Sequence, residues 1–357
     1  MKLFFRLSII ILSILVVGII AITFIYFYLQ TPIPANKIAA TELAEQSAVK
    51  QEEKPYILKV PAGKEISAVA FELEEKGLIR SADIFYLKAR LEKLEIKAGR
   101  YSIKSTMNMS DIFALLKSGK QDHISVSIPE GLTASKIAKL LFDSDVILSK
   151  EDFLKEVSNS ELLQKYKIPA SSFEGYLFPD TYYFNPSMNP KEVIVKLVDN
   201  FFAKIDSLEI SAEDMEKLHK TVILASIVER EYSREEEAPL IASVFQNRLN
   251  HHIGLESCAT ILYILTEIEG RPHPERITYE DLKINSLYNT YKWAGLPVGP
   301  ISNPGAIALK AASNPPKTNY YYFRVVDESS GKHHFSTSLE EHAKTGRELN
   351  IKAAAGK

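Results

Sequence analysis

Cysteine is almost absent from this chain of 357 residues, and neither sign of charge is in clear excess. The single cysteine, Cys258, forms no intrachain disulfide and excludes a Cys-x-x-Cys metal site. The eight histidines contain no His-Glu-x-x-His pattern and no pair at i, i+4. With 43 basic and 45 acidic residues, the net charge of -2 gives no electrostatic reason to expect nucleic acid. We therefore expect no bound metal, no organic cofactor and no nucleic-acid partner.

The N-terminus contains the long hydrophobic run of the sequence. Residues 7–29 are 23 consecutive uncharged residues, and a helix of that length covers about 35 Å, enough to cross a hydrocarbon layer of about 30 Å. A cleavable signal peptide is the alternative, although its apolar part is usually only about 7–15 residues long. Lys2 and Arg6 precede the run, so the positive-inside rule places residues 1–6 in the cytoplasm. The sequence predicts a single-pass protein of the cell (inner) membrane whose C-terminal part is extracytoplasmic.

Residues 30–55 are rich in Ala, Glu, Gln and Pro and show little apolar periodicity, which indicates a linker. Hydrophobic residues make up 46% of the whole sequence, and its globular part begins at about Tyr56. There "VPAGKEISAVAFEL" reads as a turn and an amphipathic helix after a short strand, and "IPEGLTASKIAKLL" repeats this phrase at a constant offset of 68 (128 minus 60). The pattern indicates a duplicated strand-turn-helix unit within residues 56–145.

Aromatic residues crowd the segment "SSFEGYLFPDTYYF", which includes Tyr176. Aromatic rings can stack on the apolar faces of sugars, so this segment is a candidate for carbohydrate binding. The same composition is also typical of a hydrophobic core. The sequence alone leaves both interpretations open.

Two acids, Glu229 and Glu231, follow a strongly apolar stretch in "TVILASIVEREYS". If this segment is one helix, Glu231 lies on the stripe of Leu224, Ile227 and Val228, and Glu229 faces another side. A carboxyl group at the end of an apolar stripe is partly desolvated, so its pKa rises and it can serve as a general acid. Alternatively, Glu231 marks the point where the helix emerges into solvent beside neighbouring arginines.

Several sequence blocks together carry a family resemblance. They are "FEGYLFPDTYYF", "LASIVERE", "ASVFQNRL", "NTYKWAGLPVGPISNPGAIALKAASNP" and "YYYFRVVDESSGKHHFS". In this order, from about Tyr56 to His342, they resemble the YceG-like family of endolytic lytic murein transglycosylases. The resemblance implies an α+β fold: an N-terminal transmembrane helix, a small LysM-like α/β subdomain at 56–145, and a mostly helical catalytic domain at 146–350 with a short β-hairpin.

The resemblance also implies which residues act. Glu231 corresponds to the catalytic glutamate of the family, and Glu229 is its partner on the catalytic helix. The candidates for substrate binding are Gln246, Asn247, Arg248, Asn289, Tyr291 and Tyr176.

The chemistry that the resemblance implies requires a single acid. Glu231 would protonate the oxygen between N-acetylmuramic acid and N-acetylglucosamine and then accept the proton of the 6-hydroxyl group, which closes a 1,6-anhydro ring. The substrate would be nascent peptidoglycan strands, which the enzyme would cleave internally as a terminase of elongation, with peptidoglycan synthases as partners.

The sequence departs from the family in "LESCATILY". Where the family usually has Gln-Ser/Thr-Asp-Pro, this chain has Glu256, Ser257, Cys258 and Ala259. The change removes one carboxylate and adds another nearby. A catalytically weakened, glycan-binding scaffold of the cell-wall synthesis machinery is therefore the alternative function.

Overall fold

The computed structural model describes residues 15–20, 23, 28, 55–61, 63–119, 123–327 and 329–355. The predicted cytoplasmic tail and most of the predicted membrane span and linker lie outside these ranges. Of the predicted span, residues 15–20, 23 and 28 are helical. Within the described residues, no helix combines the length and the hydropathy that crossing a membrane requires.

The described chain is mostly helical, with six short strands. The strands are β1 (Tyr56–Val60), β2 (Gly99–Ile103), β3 (Ile124–Ser127), β4 (Thr181–Phe184), β5 (Tyr322–Asp327) and β6 (Lys332–Ser336). The α-helices are α1 (Ile66–Glu75), α2 (Ala82–Leu91), α3 (Met109–Ser118), α4 (Ala134–Asp143), α5 (Lys150–Val157), α6 (Ser160–Lys165), α7 (Pro190–Ser207), α8 (Met215–Val228), α9 (Ala238–Asn250), α10 (Cys258–Tyr263), α11 (Ala306–Ser313) and α12 (Leu339–Ala355). The strands pair antiparallel as β1 with β2, β3 with β4 and β5 with β6. This architecture confirms the prediction of a mixed α+β, mostly helical chain, and β5 with β6 is the predicted hairpin.

The chain divides into two compact units between His123 and Ile124, with residues 185–187 grouped with the first unit. Each unit has its own hydrophobic core. The second copy of the repeated sequence pattern follows β3. Because β3 pairs with β4, which is part of the second unit, this copy belongs to the second unit. The prediction of a subdomain at residues 56–145 places both copies of the repeat in one subdomain.

The repeat inferred from the sequence recurs in the backbone. Helix α1 spans Ile66–Glu75 and α4 spans Ala134–Asp143, so both helix limits are shifted by 68 residues (134 minus 66). Before each helix stands a glycine in the left-handed region, Gly63 with φ 80° and Gly131 with φ 73°. Only glycine adopts that conformation at little cost, which explains why both copies keep it.

In the structure, the repeat is longer than the repeated sequence pattern and includes a second helix. After α1 and α4 the chain passes through a left-handed residue, Gly77 in the first copy and Asp145 in the second. The next helix then begins behind a serine cap: Ser81 accepts a hydrogen bond from the backbone of Ile84, and Ser149 from that of Asp152. The offset is again 68 residues (149 minus 81), so the second helix is part of the same duplication.

The closing strand of each copy carries a matching tyrosine. Tyr101 in β2 donates its hydroxyl to the carbonyl of Lys97 over 2.8 Å. Tyr182 in β4 donates to the carbonyl of Phe178 over 2.7 Å, which is the same i-4 contact. The first copy therefore runs from β1 to α3 and the second from β3 to α7, with α6 and the segment before β4 inserted in the second copy.

The core of the second unit is organised around α8. All residues from Val222 to Val228 are buried, so the last two turns of this helix contact protein on every side. Helices α9 and α11 pack against it. A helix enclosed in this way gives a rigid base to the turn that follows its last residue.

Candidate active site

Helix α8 ends at Val228, whereas the predicted helix continues for three more residues to Glu231. Glu229, Arg230 and Glu231 form a turn in which the backbone amide of Glu231 donates to the carbonyl of Val228 over 3.0 Å. The predicted continuous helix through Glu231 is therefore wrong. The predicted separation of the two acids is nevertheless observed, because the turn directs their side chains to different neighbours.

Glu231 is half-buried, and its carboxylate is held by the segment that precedes α10. The hydroxyl of Ser257 donates to Oε1 of Glu231 over 2.5 Å. Burial raises the pKa of Glu231, while the Ser257 hydroxyl, the nearby charges of His333 and Arg230 and the Ala259 amide oppose that rise. The arrangement favours a carboxyl group that is protonated more readily than an ordinary glutamate and is also fixed in orientation.

Ser257 is itself fixed in place. Its backbone amide donates to Oγ1 of Thr290 over 3.1 Å, and its carbonyl accepts from the hydroxyl of Thr260 over 2.7 Å. The hydroxyls of Thr260 and Thr290 are 2.9 Å apart. All three residues are buried. The Ser257 hydroxyl is thus presented to Glu231 by a small threonine network that joins two loops.

Glu231 lies in the wall of a cleft of about 340 Å³. The other lining residues come from α9, from the loops around Ser257 and Tyr291, and from β5 and α12. They are Phe245, Arg248, Leu255, Glu256, Ser257, Cys258, Tyr291, Tyr322, Phe323, Leu339 and His342. The cleft thus combines aromatic rings, which can stack on sugars, with charged and hydroxyl groups that can bind sugar hydroxyls.

Glu229 faces a different part of the second unit. Its Oε2 accepts a hydrogen bond from the backbone amide of Gly305 over 2.9 Å, and the hydroxyl of Tyr232 lies 3.4 Å from Oε1. Burial, together with the nearby Glu130 carboxylate, raises the pKa of Glu229 to about 7, although the Gly305 amide opposes the shift. Glu229 therefore ties the end of α8 to the start of α11.

Of the six predicted substrate-binding residues, Arg248 and Tyr291 line the cleft. Arg248 is 7% exposed and donates to the carbonyls of Tyr321, Gly254 and Leu255. Its guanidinium group also lies over the ring of Tyr322, 5.0 Å from the centroid. Much of Arg248 is therefore committed to holding the wall of the cleft.

The other four predicted substrate-binding residues have structural partners outside the cleft lining. Gln246 donates to Asn250, and Asn247 donates to the carbonyls of Thr318 and Tyr320. Asn289 is fully buried and organises its own loop through the carbonyls of Leu282 and Ile284. Tyr176 is fully buried and contacts His219. Burial leaves Asn289 and Tyr176 no surface with which to contact a substrate.

The aromatic segment around Tyr176 is part of the hydrophobic core. Of the two interpretations that the sequence allows, carbohydrate binding and core, the structure shows the second. Phe173, Phe178, Tyr182 and Phe184 are also buried, whereas Tyr183 is 63% exposed. Alternation along β4 directs Tyr182 and Phe184 inward and Tyr183 outward.

The segment that departs from the family pattern forms part of the cleft. Glu256, Ser257 and Cys258 all line it, and Sγ of Cys258 is 3.0 Å from the hydroxyl of Tyr291. Glu256 Oε2 is 3.2 Å from Nη1 of Arg248. The added carboxylate therefore has a cationic partner, and the thiol has a phenolic one.

Sequence reasoning missed Ser257 as the partner of Glu231, and it also missed the cleft residues of β5 and α12. Tyr322 and Phe323 belong to the segment "YYYFRVVDESSGKHHFS". The alternation of side chains along a strand does not indicate which face of the hairpin packs on α9. Phe323 packs edge-on against Phe245 with 5.6 Å between centroids. This contact joins residues that are far apart in the sequence, so no local pattern reveals it.

Asn303 is a further unpredicted residue, and it connects three segments behind the site. Its Oδ1 accepts from the backbone amides of Gly175 (2.9 Å) and Leu177 (2.8 Å), and its Nδ2 donates to the carbonyl of Leu132 (2.9 Å) and to Glu174 (2.7 Å). Asn303 is 1% exposed. All four side-chain hydrogen-bonding positions of the amide are thus used inside the protein.

Gly175 allows its loop to approach Pro300 and Asn303 closely. Its φ is +88°, and a Cβ atom there would lie 2.6 Å from Cγ of Pro300. Any larger residue would push the loop away from Pro300 and from the Asn303 amide. Among the residues that the structure describes, no group of three or more His, Cys, Asp or Glu side chains is arranged to hold a metal ion.

Comparison with known proteins gives one consistent match. The YceG-like family matches residues 58–348. A Bacillus subtilis protein named endolytic murein transglycosylase is 30% identical over 310 residues, which cover 80% of this chain and 82% of that protein. A Streptococcus pneumoniae protein of the same name is 31% identical over 79% of this chain, and the match spans 56% of that longer protein.

Solved structures give the same result. The crystal structure of a yceG-like protein from Listeria monocytogenes, determined at 2.6 Å, is 34% identical in sequence and superposes with a TM-score of 0.55. The superposition covers 82% of this chain and 99% of the other. The order of the sequence blocks, the cleft around Glu231 and the family match over residues 58–348 agree, and the chain belongs to the YceG-like family.

Proposed function

We propose that this chain is an endolytic murein transglycosylase that cleaves the β-1,4 bond between N-acetylmuramic acid and N-acetylglucosamine within glycan strands. The single observation that carries the proposal is the Glu231 carboxyl group, half-buried in a cleft wall and oriented by Ser257. The names of the relatives support the same activity. The chain is an enzyme of the lytic transglycosylase class, and its product is a strand with a 1,6-anhydro-muramoyl end.

Glu231 performs both proton transfers in the proposed reaction. Its protonated carboxyl donates to the glycosidic oxygen as the bond from that oxygen to C1 of the muramoyl residue breaks, which gives C1 oxocarbenium character. The oxygen of the 6-hydroxyl group of the same sugar then bonds to C1, and its proton passes to the Glu231 carboxylate. The proton that left Glu231 is thereby replaced, and no water enters the balance.

A residue that acts first as acid and then as base needs a pKa between those of an ordinary glutamate and a fully desolvated one. Burial raises the pKa of Glu231, which keeps the donor protonated, while the Ser257 hydroxyl stabilises the carboxylate that forms. The same hydrogen bond fixes the carboxyl group in one orientation, as positioning of a catalytic group requires.

Ser257→Ala is expected to move the alkaline limb of the kcat/KM profile to higher pH. The carboxylate loses a charge-assisted hydrogen bond of about 1.5–3 kcal/mol, which water partly replaces, so the protonated donor persists to higher pH. Measuring kcat/KM for strand cleavage against pH tests this. Ser207→Ala serves as a control, because that serine is exposed at the end of α7 and donates to the carbonyl of Lys204 instead. An unchanged limb in Ser257→Ala would remove Ser257 from the mechanism.

Mass analysis of the products from purified murein strands tests the proposed activity. The transglycosylase yields muropeptides that are one water lighter than those of a hydrolase, and internal cleavage yields fragments of intermediate length before short ones. Hydrated ends would identify a hydrolase and overturn the proposal.

A glycan-binding scaffold with a weakened site is the second candidate function. The observation that favours it is the cleft segment Glu256–Ala259, in which Cys258 stands where the family usually has an aspartate. Binding of strands without any cleavage by the folded protein would support the scaffold.

We place the catalytic unit outside the cytoplasm, attached to the cell (inner) membrane through residues 7–29. Lys2 and Arg6 before the 23-residue run support this orientation. A reporter that is active only outside the cytoplasm, fused after Lys357, is expected to be active. Activity confined to a cytoplasmic reporter would overturn the topology and the role in the cell wall. In that location the enzyme would act as a terminase on strands made by peptidoglycan synthases.

We assign glycan binding or positioning, rather than chemistry, to the LysM-like region within residues 56–145. The first compact unit has its own core and does not include Glu231. Deleting residues 56–118 is expected to leave measurable cleavage of soluble strands, monitored by anhydro-product yield. Complete loss of cleavage by a deletion variant that is folded by circular dichroism would contradict this division of roles.

A further inference from the structure

The first unit exposes an apolar face on helix α2. Tyr86, Leu87 and Leu91 are 39%, 58% and 76% exposed. Together with the exposed Asp83 and Arg90 they repeat at helical spacing, so all five side chains lie on one side of the helix. The outer face of α2 is therefore mainly apolar, whereas a helix that packs only on its own core usually exposes polar side chains.

The duplicated module provides a comparison for this face within the same chain. At the offset of 68 residues, α2 corresponds to α5. The inner faces match, because Phe85 of α2 and Phe153 of α5 are both fully buried. The outer faces differ, because the exposed Leu87 corresponds to the exposed Lys155. The same fold thus accepts a lysine at the position where the first copy exposes a leucine.

The first helix of the module shows the same difference. Phe71 of α1 is 62% exposed, and the corresponding residue of α4 is Lys139, which pairs with Asp143 at the surface. Tyr86 is the exception, since its counterpart Leu154 is also apolar and partly exposed. Folding of the module does not require apolar side chains at the positions of Phe71 and Leu87. These side chains are therefore available for a contact outside the first unit.

A contact with the predicted membrane span indicates what covers the outer face of α2. Tyr28 lies near the end of that span, residues 7–29. Nη1 of Arg80 donates to the Tyr28 hydroxyl over 3.4 Å, and the guanidinium group lies 4.5 Å from the centroid of the ring. Arg80 directly precedes Ser81, which caps α2. Because tyrosine at the end of a span lies at the membrane–water interface, this contact places the start of α2 at the level of the lipid headgroups.

The charge of the first unit is compatible with a lipid surface. Basic side chains outnumber acidic ones in residues 56–123, whereas the whole chain has 43 basic and 45 acidic residues. An anionic lipid surface therefore attracts this unit. Arg90 lies among the apolar side chains of the outer face, where a cation can reach the headgroups while its apolar neighbours enter the layer below.

We propose that the outer face of α2 docks on the extracytoplasmic surface of the membrane, with Leu87 and Leu91 at the boundary between headgroups and acyl chains. The inference rests on the proposed attachment through residues 7–29. A helix that lies in the plane of the interface buries its apolar face about 5–10 Å deep. Docking holds the first unit against the bilayer, although the predicted linker at residues 30–55 is long enough to let it move away.

A tryptophan probe in the full chain tests for contact with lipid. The chain is reconstituted into vesicles of phosphatidylethanolamine and phosphatidylglycerol, with or without bromine on the upper part of the acyl chains. Leu87→Trp is made together with Trp293→Phe, so that the probe is the single tryptophan. Because bromine quenches tryptophan only at contact, brominated lipid is expected to reduce the emission of the probe roughly by half.

Lys155→Trp, also made with Trp293→Phe, is the matched control. It places the probe at the corresponding exposed position of the second copy. Brominated lipid is expected to leave its emission unchanged. Equal quenching of Leu87→Trp and Lys155→Trp would show that proximity to the vesicle, and not docking of α2, causes the effect.

A disrupted face provides a second measurement. Tyr86→Trp, with Trp293→Phe, is expected to be quenched by brominated lipid. Adding Leu87→Lys and Leu91→Asn introduces the residue types of the corresponding positions 155 and 159. All three replaced side chains are exposed, so circular dichroism should show an unchanged fold. Most of the quenching is expected to be lost, and unchanged quenching would contradict a role of the two leucines.

Flotation of the full chain with the vesicles distinguishes two failures. If the chain floats but brominated lipid quenches neither Leu87→Trp nor Tyr86→Trp, the outer face of α2 does not touch lipid, and the attachment through residues 7–29 stands. A face that is covered by a second copy of the chain gives this result. If the chain does not float, the attachment fails and the inference fails with it.

Discussion

Glu231→Gln is expected to abolish the formation of anhydro-muropeptides while leaving the protein folded. The substitution keeps the shape of the side chain and its ability to accept the Ser257 hydrogen bond, but it removes the transferable proton. General acid–base groups contribute about 10²–10⁴-fold, and a residue that performs both proton transfers should be at the upper end of that range. The measurement is the anhydro-muropeptide yield from purified strands, with circular dichroism to verify the fold.

Glu229→Gln is the matched comparison, because it makes the same chemical change two residues away. Glutamine can still accept the Gly305 amide, so only a partial reduction in rate is expected. The pH dependence of stability should also change. Burial raises the pKa of Glu229 from 4.5 to about 7, so its contribution to folding is greatest below pH 4.5 and is lost as the pH rises through 7. The variant should lack this loss between pH 4.5 and 7.

Comparison of the two variants shows which of the two glutamates is catalytic. A folded Glu231→Gln protein with nearly full activity, beside an inactive Glu229→Gln protein, would transfer the catalytic role to Glu229. Full activity in both would remove this turn from the mechanism altogether.

Asn303→Ala is expected to lower the free energy of unfolding of the second unit by roughly 3–5 kcal/mol. The substitution leaves the amides of Gly175 and Leu177 without their partner, and the carbonyl of Leu132 keeps only the backbone amide of residue 303 as its donor. Each buried polar group without a partner costs about 1–3 kcal/mol. It also removes the hydrogen bond to Glu174, whose pKa burial already raises to about 8.

Urea unfolding monitored by tryptophan fluorescence measures this effect, because the single tryptophan, Trp293, lies in the second unit. Asn285→Ala is the control. Asn285 is exposed and contacts Lys292, so its loss should change the free energy of unfolding by less than about 0.5 kcal/mol. Equal midpoints for the two variants would show that the Asn303 amide does not join the three segments in solution.

Elements with a local sequence signal were predictable before the structure was known. The repeat at offset 68 could be read from the phrase around Gly63 and Gly131, because a left-handed turn and an amphipathic helix each leave a short pattern. The hairpin of β5 and β6 was predicted for the same reason. The importance of the Glu229–Glu231 turn also came from the sequence, through an apolar run that ends in acids.

The contacts of those two acids depend on the packing of distant segments and could not be predicted. Helix α8 ends at Val228, so the helical phase that placed Glu231 beside Leu224 does not apply, and the contact that matters comes from Ser257, 26 residues later. Composition could not separate core from binding surface around Tyr176, since burial depends on packing against distant residues such as His219. The cleft and the Asn303 connection both join segments that are far apart along the chain. Such contacts leave no periodic signal, because folding brings together residues whose spacing in the sequence is arbitrary.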